Sequence, residues 1–391
     1  MNLNALRILV TVALFSLTVT IFAQDEKKDD KPAFPGKPGL EFKQTLHSGD
    51  AGNMVTKSEG AEAQVYSKTE FKGQIAFKLA DGLYTITPWA KERLDLYFNY
   101  TTLNLTDSSG DTVSMSSPAF DARNRFEIGF NNDIAIKDII KISVNPAFRV
   151  ENKLSAKVKE SNADLTFTNG FGPSVAKFSF MPSLNLGYAY SMGFSWSFNS
   201  TLFLHMYPIM DQAKNDKGEL TNDGKSILES LEFEGTYNIG FNILKPLDIK
   251  DYSLTIFVEE YTDNVFKGEN YVSTVTYDGN KHKVSGSYGF DNKIGLSSSF
   301  YGVTLVGNSF IRIKGAIDDI DTNGSDVFAG LQVGGSVKVD KFSFGVTYTG
   351  MQQVWLGSAK NDSGLYEPRA TKDTDLKYWN NLIEGYFSIK L

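Results

Sequence analysis

Gly193 to Tyr207 reads GFSWSFNSTLFLHMY. Phe194, Trp196, Phe198, Leu202, Leu204 and Met206 fall on one face of an extended chain. Ser195, Ser197, Asn199, Thr201 and His205 fall on the other, with Phe203 among them. Period-two alternation is the mark of a strand with one apolar face. The preceding segment repeats it. Phe178, Phe180, Leu184, Leu186, Tyr188 and Tyr190 alternate with Lys177, Ser179, Ser183, Asn185 and Gly187. A soluble sandwich also uses such strands, but these run to about twice the usual five or six residues. Crossing a hydrocarbon layer takes roughly 9–11 tilted residues, and these strands supply them.

Working outward, the same alternation predicts strands near 40–48, 62–79, 89–104, 118–131, 139–153, 174–190, 193–208, 228–244, 252–262, 284–299, 301–314, 327–339, 341–355 and 378–391. The expected fold is all-β: a single closed antiparallel transmembrane β-barrel of about 14 strands, within a range of 12–16. The weak strand at Leu40 is inferred in part because the count is odd without it. Connections alternate in length. Short ones lie near Asp81-Gly82, Asn132–Lys137, Ser191-Met192, Lys245–Asp251, Phe300-Tyr301 and Asp340. Long polar ones lie near 49–61, 105–117, 154–173, 209–227, 263–283, 315–326 and 356–377. Closure removes the open edges that hydrocarbon would leave unsatisfied. Aromatics near strand ends suggest interfacial girdles: Trp89, Tyr188, Tyr190, Phe194, Phe342 and Phe344 on one side, Tyr100, Tyr207, Trp355 and Trp379 on the other.

The N-terminus supplies the export signal. Met1–Arg7 is basic, and Ile8–Phe22 (ILVTVALFSLTVTIF) is apolar but short of the ~20 residues of a spanning helix. A signal peptide is expected over 1–23, a charged, proline-bearing lead-in over 24–39, and the barrel over 40–391. The 391 residues hold no Cys, which excludes disulfide frameworks, thiolate catalysis and a lipid-anchor motif. A net charge of −7 with no basic stripe argues against nucleic acid as a partner.

The terminal segment IEGYFSIKL (Ile383–Leu391) sets Phe387, Ile389 and Leu391 on one face. With the signal peptide and the hairpin series, this resembles the bacterial outer-membrane barrel proteins. That resemblance implies a bacterial outer-membrane location with lipid around the wall. It also implies a last strand read by the barrel-assembly machinery, although the family's usual terminal aromatic is here Leu391. An even strand number with short turns on the periplasmic side sets both termini in the periplasm.

Strand phase places the charges inside, since Lys or Arg facing lipid costs about 2–4 kcal/mol at the midplane. Arg93, Asp95, Asp121, Arg123, Arg125, Glu127, Arg149 and Glu151 fall on neighbouring strands, and Arg312 on a later one. These residues either fill the interior as pairs or line a pore and set its ion preference. The four arginines on three adjacent strands are the candidate constriction or anion contact. In the loop 318–326, Asp319, Asp321 and Asn323 begin a D-x-D-x-N-G pattern that resembles half of an EF-hand calcium loop. Gly330 stands where the bidentate Glu belongs, so the bland reading is an acidic surface loop. No other cofactor is expected. Of three histidines, His205 is the plausible base, with no serine two residues away on its strand and no nucleophile motif, so no enzymatic activity is expected. The function read from the sequence is a porin-like channel for small hydrophilic solutes or ions. The alternatives are a barrel whose loops serve adhesion or act as antigen, and a selective transporter of hydrophobic compounds.

Overall fold

The computed structural model describes residues 36–49, 64–79, 83–106, 112–137, 139–158, 165–168, 176–190, 192–207, 213–214, 220–221, 228–249, 251–269, 272–277, 280–318, 322–323, 325–355, 358–360, 366–368 and 379–391. The expected signal peptide, all but the end of the lead-in, and Asp319 and Asp321 lie outside them. So do the side chains of Tyr100, Asp121, Asn323, Trp355 and Trp379.

Fourteen antiparallel strands close into a barrel. They are β1 (Lys37–Gly49), β2 (Gln64–Leu79), β3 (Tyr84–Thr106), β4 (Thr112–Ile136) and β5 (Ile140–Asn145 with Ala147–Val158). Then come β6 (Lys177–Phe180 with Ser183–Ala189), β7 (Phe194–Met206), β8 (Leu228–Asn242), β9 (Tyr252–Lys267) and β10 (Asn280–Phe300). The series ends with β11 (Val303–Asp318), β12 (Ser325–Val339), β13 (Phe342–Trp355) and β14 (Trp379–Lys390). Each pairs with its sequence neighbour, and β14 returns to β1 with Phe42 opposite Ile389 and His47 opposite Glu384. The strand inferred at Leu40 is therefore the closing element. It starts at Lys37, earlier than expected, because Lys37–Gly39 pair with Gln74–Ala76.

The alternation holds around the wall. Phe130, Val144, Ile256, Ile294, Leu305 and Val346 point outward and are exposed, as a lipid-facing surface requires. Phe42, Phe71, Phe344 and Phe387 form a ring cluster on this surface, with centroids 4.9–6.3 Å apart. Tyr190, Phe194, Phe342 and Phe344 are exposed at the short-turn end, where the girdle is expected.

Trp89 corrects that girdle. Its phase turns it into the lumen, where its indole N–H donates to Asn131 Oδ1 at 2.9 Å. It packs there against Ala147, Met181 and Phe203. Gly129 makes the room: a Cβ at that position would stand 2.7 Å from the Trp89 ring.

Two strands are broken by proline. Pro146 splits β5, and Pro182 splits β6. Neither has an N–H to give the ladder, yet both carbonyls still accept, Pro146 from Phe130 at 3.1 Å and Pro182 from Leu202 at 3.0 Å. The two breaks are neighbours in space, and Ala147 and Met181 exchange both backbone bonds between them, at 3.2 and 2.8 Å.

The turns on one end are tight. Tyr301 and Gly302 both have positive φ (43° and 80°), which matches the right-handed twist of a two-residue hairpin. The opposite end departs from expectation, because strands run on into what read as long loops. β3 and β4 have 23 and 25 residues, so most of the expected loop 105–117 is strand, with Thr106 opposite Thr112. Within the expected loop 154–173, Leu165–Thr168 pair with Ser155–Val158. Phe171 lies outside the described residues. Loops 315–326 and 356–377 are joined by pairing of Thr322-Asn323 with Ser358-Ala359.

Candidate functional site

The inner face carries the chemistry. β3, β4 and β5 are adjacent, and their register sets Lys91 opposite Glu127 and Glu127 opposite Arg149. Glu127, 3% exposed, is held from both sides, by Lys91 Nζ at 2.7 Å and Arg149 Nε at 2.7 Å. One step toward the long-loop end, Asp95 is fully enclosed. Its Oδ1 accepts from Arg93 Nε at 2.7 Å and Tyr66 Oη at 3.0 Å, and its Oδ2 forms an ion pair with Arg125 Nη1 across 3.2 Å. Arg125 Nε also donates to Glu151, which Lys177 approaches at 3.8 Å. A buried carboxylate is costly unless cations and donors surround it, and here each is surrounded.

The sequence-predicted cluster is thus largely assembled. Arg93, Asp95, Arg123, Arg125, Glu127, Arg149 and Glu151 form one patch, and Asp121 sits on the same strand, opposite Tyr97 and Ser155. Arg312 does not join them. It lies on β11 and forms its own fork with Asp291, Nε to Oδ1 at 2.7 Å. The expected anion contact is altered in character, because Arg93, Arg125 and Arg149 each already engage a carboxylate. The patch is a ladder of ion pairs.

The candidate calcium loop contributes no describable donor set. Asp319 and Asp321 lie outside the described residues, and Asn323 is placed by its backbone pairing with Ser358. Among the described residues no group of three acidic, His or Cys side chains could hold a metal.

Two features were missed from sequence. His205 does have a serine, from the neighbouring strand: Ser179 Oγ lies 2.7 Å from Nδ1, and Glu232 Oε2 lies 3.0 Å from Nε2. Serine, imidazole and carboxylate in series are the parts of a hydrolase triad. Ser179 is 2% exposed and His205 5%, so the serine and imidazole are buried while Glu232 keeps 24% exposure, and the series links β6, β7 and β8. Only the cross-strand register reveals it.

The second is an alcove of about 290 Å³ in the inner wall of β11–β14, toward the short-turn end. Val306, Gln332, Thr347, Thr349, Glu384 and Tyr386 line it, with Gly334 and Ser336. Gln332 donates to Thr349 Oγ1 at 3.1 Å and accepts from Asn308 at 3.2 Å. Glu384 pairs with His47 at 3.2 Å. Above it, Phe310, Phe328 and Met351 are buried against Leu382. Its residues come from four strands and carry no motif in the sequence.

A closed antiparallel sheet, apolar outside and ionic within, defines the class: a transmembrane β-barrel of the bacterial outer-membrane type. No family model and no curated protein matches the chain. Among solved structures it is similar to CdiB from Escherichia coli at 12% identity and a TM-score of 0.45, covering 92% of this chain and 64% of that one. The chain therefore spans less than two thirds of that protein. An outer-membrane channel from Pseudomonas putida F1 is similar at 8% identity and 0.38, covering 94% and 99%. The outer-membrane protein OmpT of Vibrio cholerae is similar at 10% and 0.37, covering 92% and 100%. These are likenesses of fold alone.

Proposed function

We propose that the protein is a channel of the bacterial outer membrane that passes small hydrophilic solutes or ions, with both termini periplasmic and insertion by the barrel-assembly machinery. One observation carries this. The inner-face cations keep partial exposure on opposite parts of the wall: Lys68 22%, Lys91 24%, Lys177 23%, Lys293 23% and Arg312 23%. Ions inside a dry, packed interior would be enclosed or absent. These side chains stay accessible from the barrel interior, and a barrel of this size has lumen beyond what side chains fill.

Planar-bilayer recording of the folded full chain tests the reading. Stepwise ohmic currents are expected. Their reproducible absence from protein shown to be folded by heat-modifiable gel mobility would refute it.

A second reading has its own support. β3 and β4 outrun the roughly 9–11 residues that cross the hydrocarbon by more than a full crossing, and a long projecting hairpin suits contact with a partner at the cell surface. Shortening residues 100–118 would abolish such binding and leave conductance intact.

A further inference from the structure

The alcove on β11–β14 differs in chemistry from the rest of the inner wall. Among the described residues lining it, none is Lys or Arg. Its polar groups include hydroxyls (Thr304, Ser336, Thr347, Thr349), an amide (Gln332) and one carboxylate (Glu384), arranged around Val306 and the Tyr386 ring. Glu384 Oε2 lies 3.2 Å from His47 Nε2, and Lys43 Nζ stands 5.0 Å from the Tyr386 ring centroid. We infer that this alcove is a binding subsite for a neutral sugar, a single pyranose ring, in the permeation path; the inference rests on the channel reading above.

Three features select that ligand. An anion such as phosphate needs donors of positive charge; the lining supplies none, and the neighbouring Lys43 ammonium is engaged over the Tyr386 ring. A cation needs several oxygens of concentrated charge, and a single carboxylate already paired with His47 is a poor cage. A sugar ring offers both donors and acceptors on its rim and apolar C–H faces. Hydroxyls and an amide can give or take according to the partner, while Val306 meets the C–H surface. Size sets the limit. About 290 Å³ falls below the roughly 300–1,000 Å³ of sites for drug-sized ligands, so one ring fits and a chain does not. The buried group Phe310, Phe328 and Met351 closes the alcove on the long-loop side, which makes it a recess off the path, a place where a solute pauses.

The test is bilayer current through the folded full chain with glucose added in steps to both chambers, against glycine at matched viscosity. Glucose is expected to reduce the current saturably in the millimolar range, and glycine only in proportion to viscosity. In Gln332→Leu/Thr349→Val the half-effect concentration should rise about tenfold, the worth of one to two hydrogen bonds. Ohmic current with no saturable effect of glucose overturns the subsite and leaves the channel standing. If folded protein carries no current, the channel reading fails, and saturation-transfer NMR of glucose with the same wild-type protein decides the subsite. Glucose signals that disappear on competition with excess galactose or mannose support it, and no transfer overturns it.

Discussion

Tyr386 lies flat across Gly345 on the inner wall: a Cβ at position 345 would stand 2.3 Å from the ring carbon Cε1. The two residues are direct cross-strand partners on β13 and β14. An aromatic laid over a strand glycine covers its exposed backbone, and the glycine in turn fixes the ring.

Gly345→Ala should therefore destabilise the barrel, by about 1–3 kcal/mol, the cost of overpacking. Urea unfolding of vesicle-folded protein measures it. Gly385→Ala serves as the comparison, since its nearest neighbour would lie at 3.9 Å. Equal stability of the two variants would show that the ring moves aside at no cost.

Asp95 offers a test of the ion-pair ladder. Asp95→Asn leaves Arg93 and Arg125 without the carboxylate they share. Removing one partner of a buried pair costs about 3 kcal/mol at the lower end of its range, the end that applies where lumen water reaches the guanidinium groups. The same variant should shift the reversal potential in a KCl gradient toward anion selectivity, because a negative charge leaves the wall. A shift toward cations would contradict the placement of Asp95 in the ladder.

Tryptophan fluorescence separates the two faces. A variant keeping only Trp196, whose phase is outward, should be quenched by lipids brominated on their acyl chains. One keeping only Trp89, which faces the lumen beside Asn131, should not. Quenching of both would place Trp89 in the girdle after all.

The outer wall sets the last prediction. Ile294 is 61% exposed toward lipid, so Ile294→Lys should cost about 2–4 kcal/mol near the midplane and lower the folded fraction in vesicles. Ser297→Lys, on the inner face of the same strand, should fold like the parent. Urea titration with gel mobility reports both.

Much of this was legible in advance. Alternation such as that of Gly193–Tyr207 specifies strand and face together, because side chains in a pleated strand point to opposite sides. Even β1, read faintly at Leu40, was recoverable from the requirement that the barrel close. Loop lengths were harder. Polar residues near 105–117 and 154–173 suit a solvent-exposed ladder as well as a loop, and hydropathy does not separate the two.

The sequence by itself determined the class of fold, the direction each side chain faces and the residues that meet in the ladder of β3–β5, since these depend on local period and on neighbouring strands. Tertiary structure alone decided what depends on register and close fit. It set Ser179 beside His205 on neighbouring strands, and it packed the Trp89 ring into space that Gly129 leaves open. It paired Arg312 with Asp291, away from the other arginines. It also hollowed an alcove from Gly334, Thr347 and their neighbours. These meetings come from separate strands, and only the closed hydrogen-bonded wall sets the distances between them.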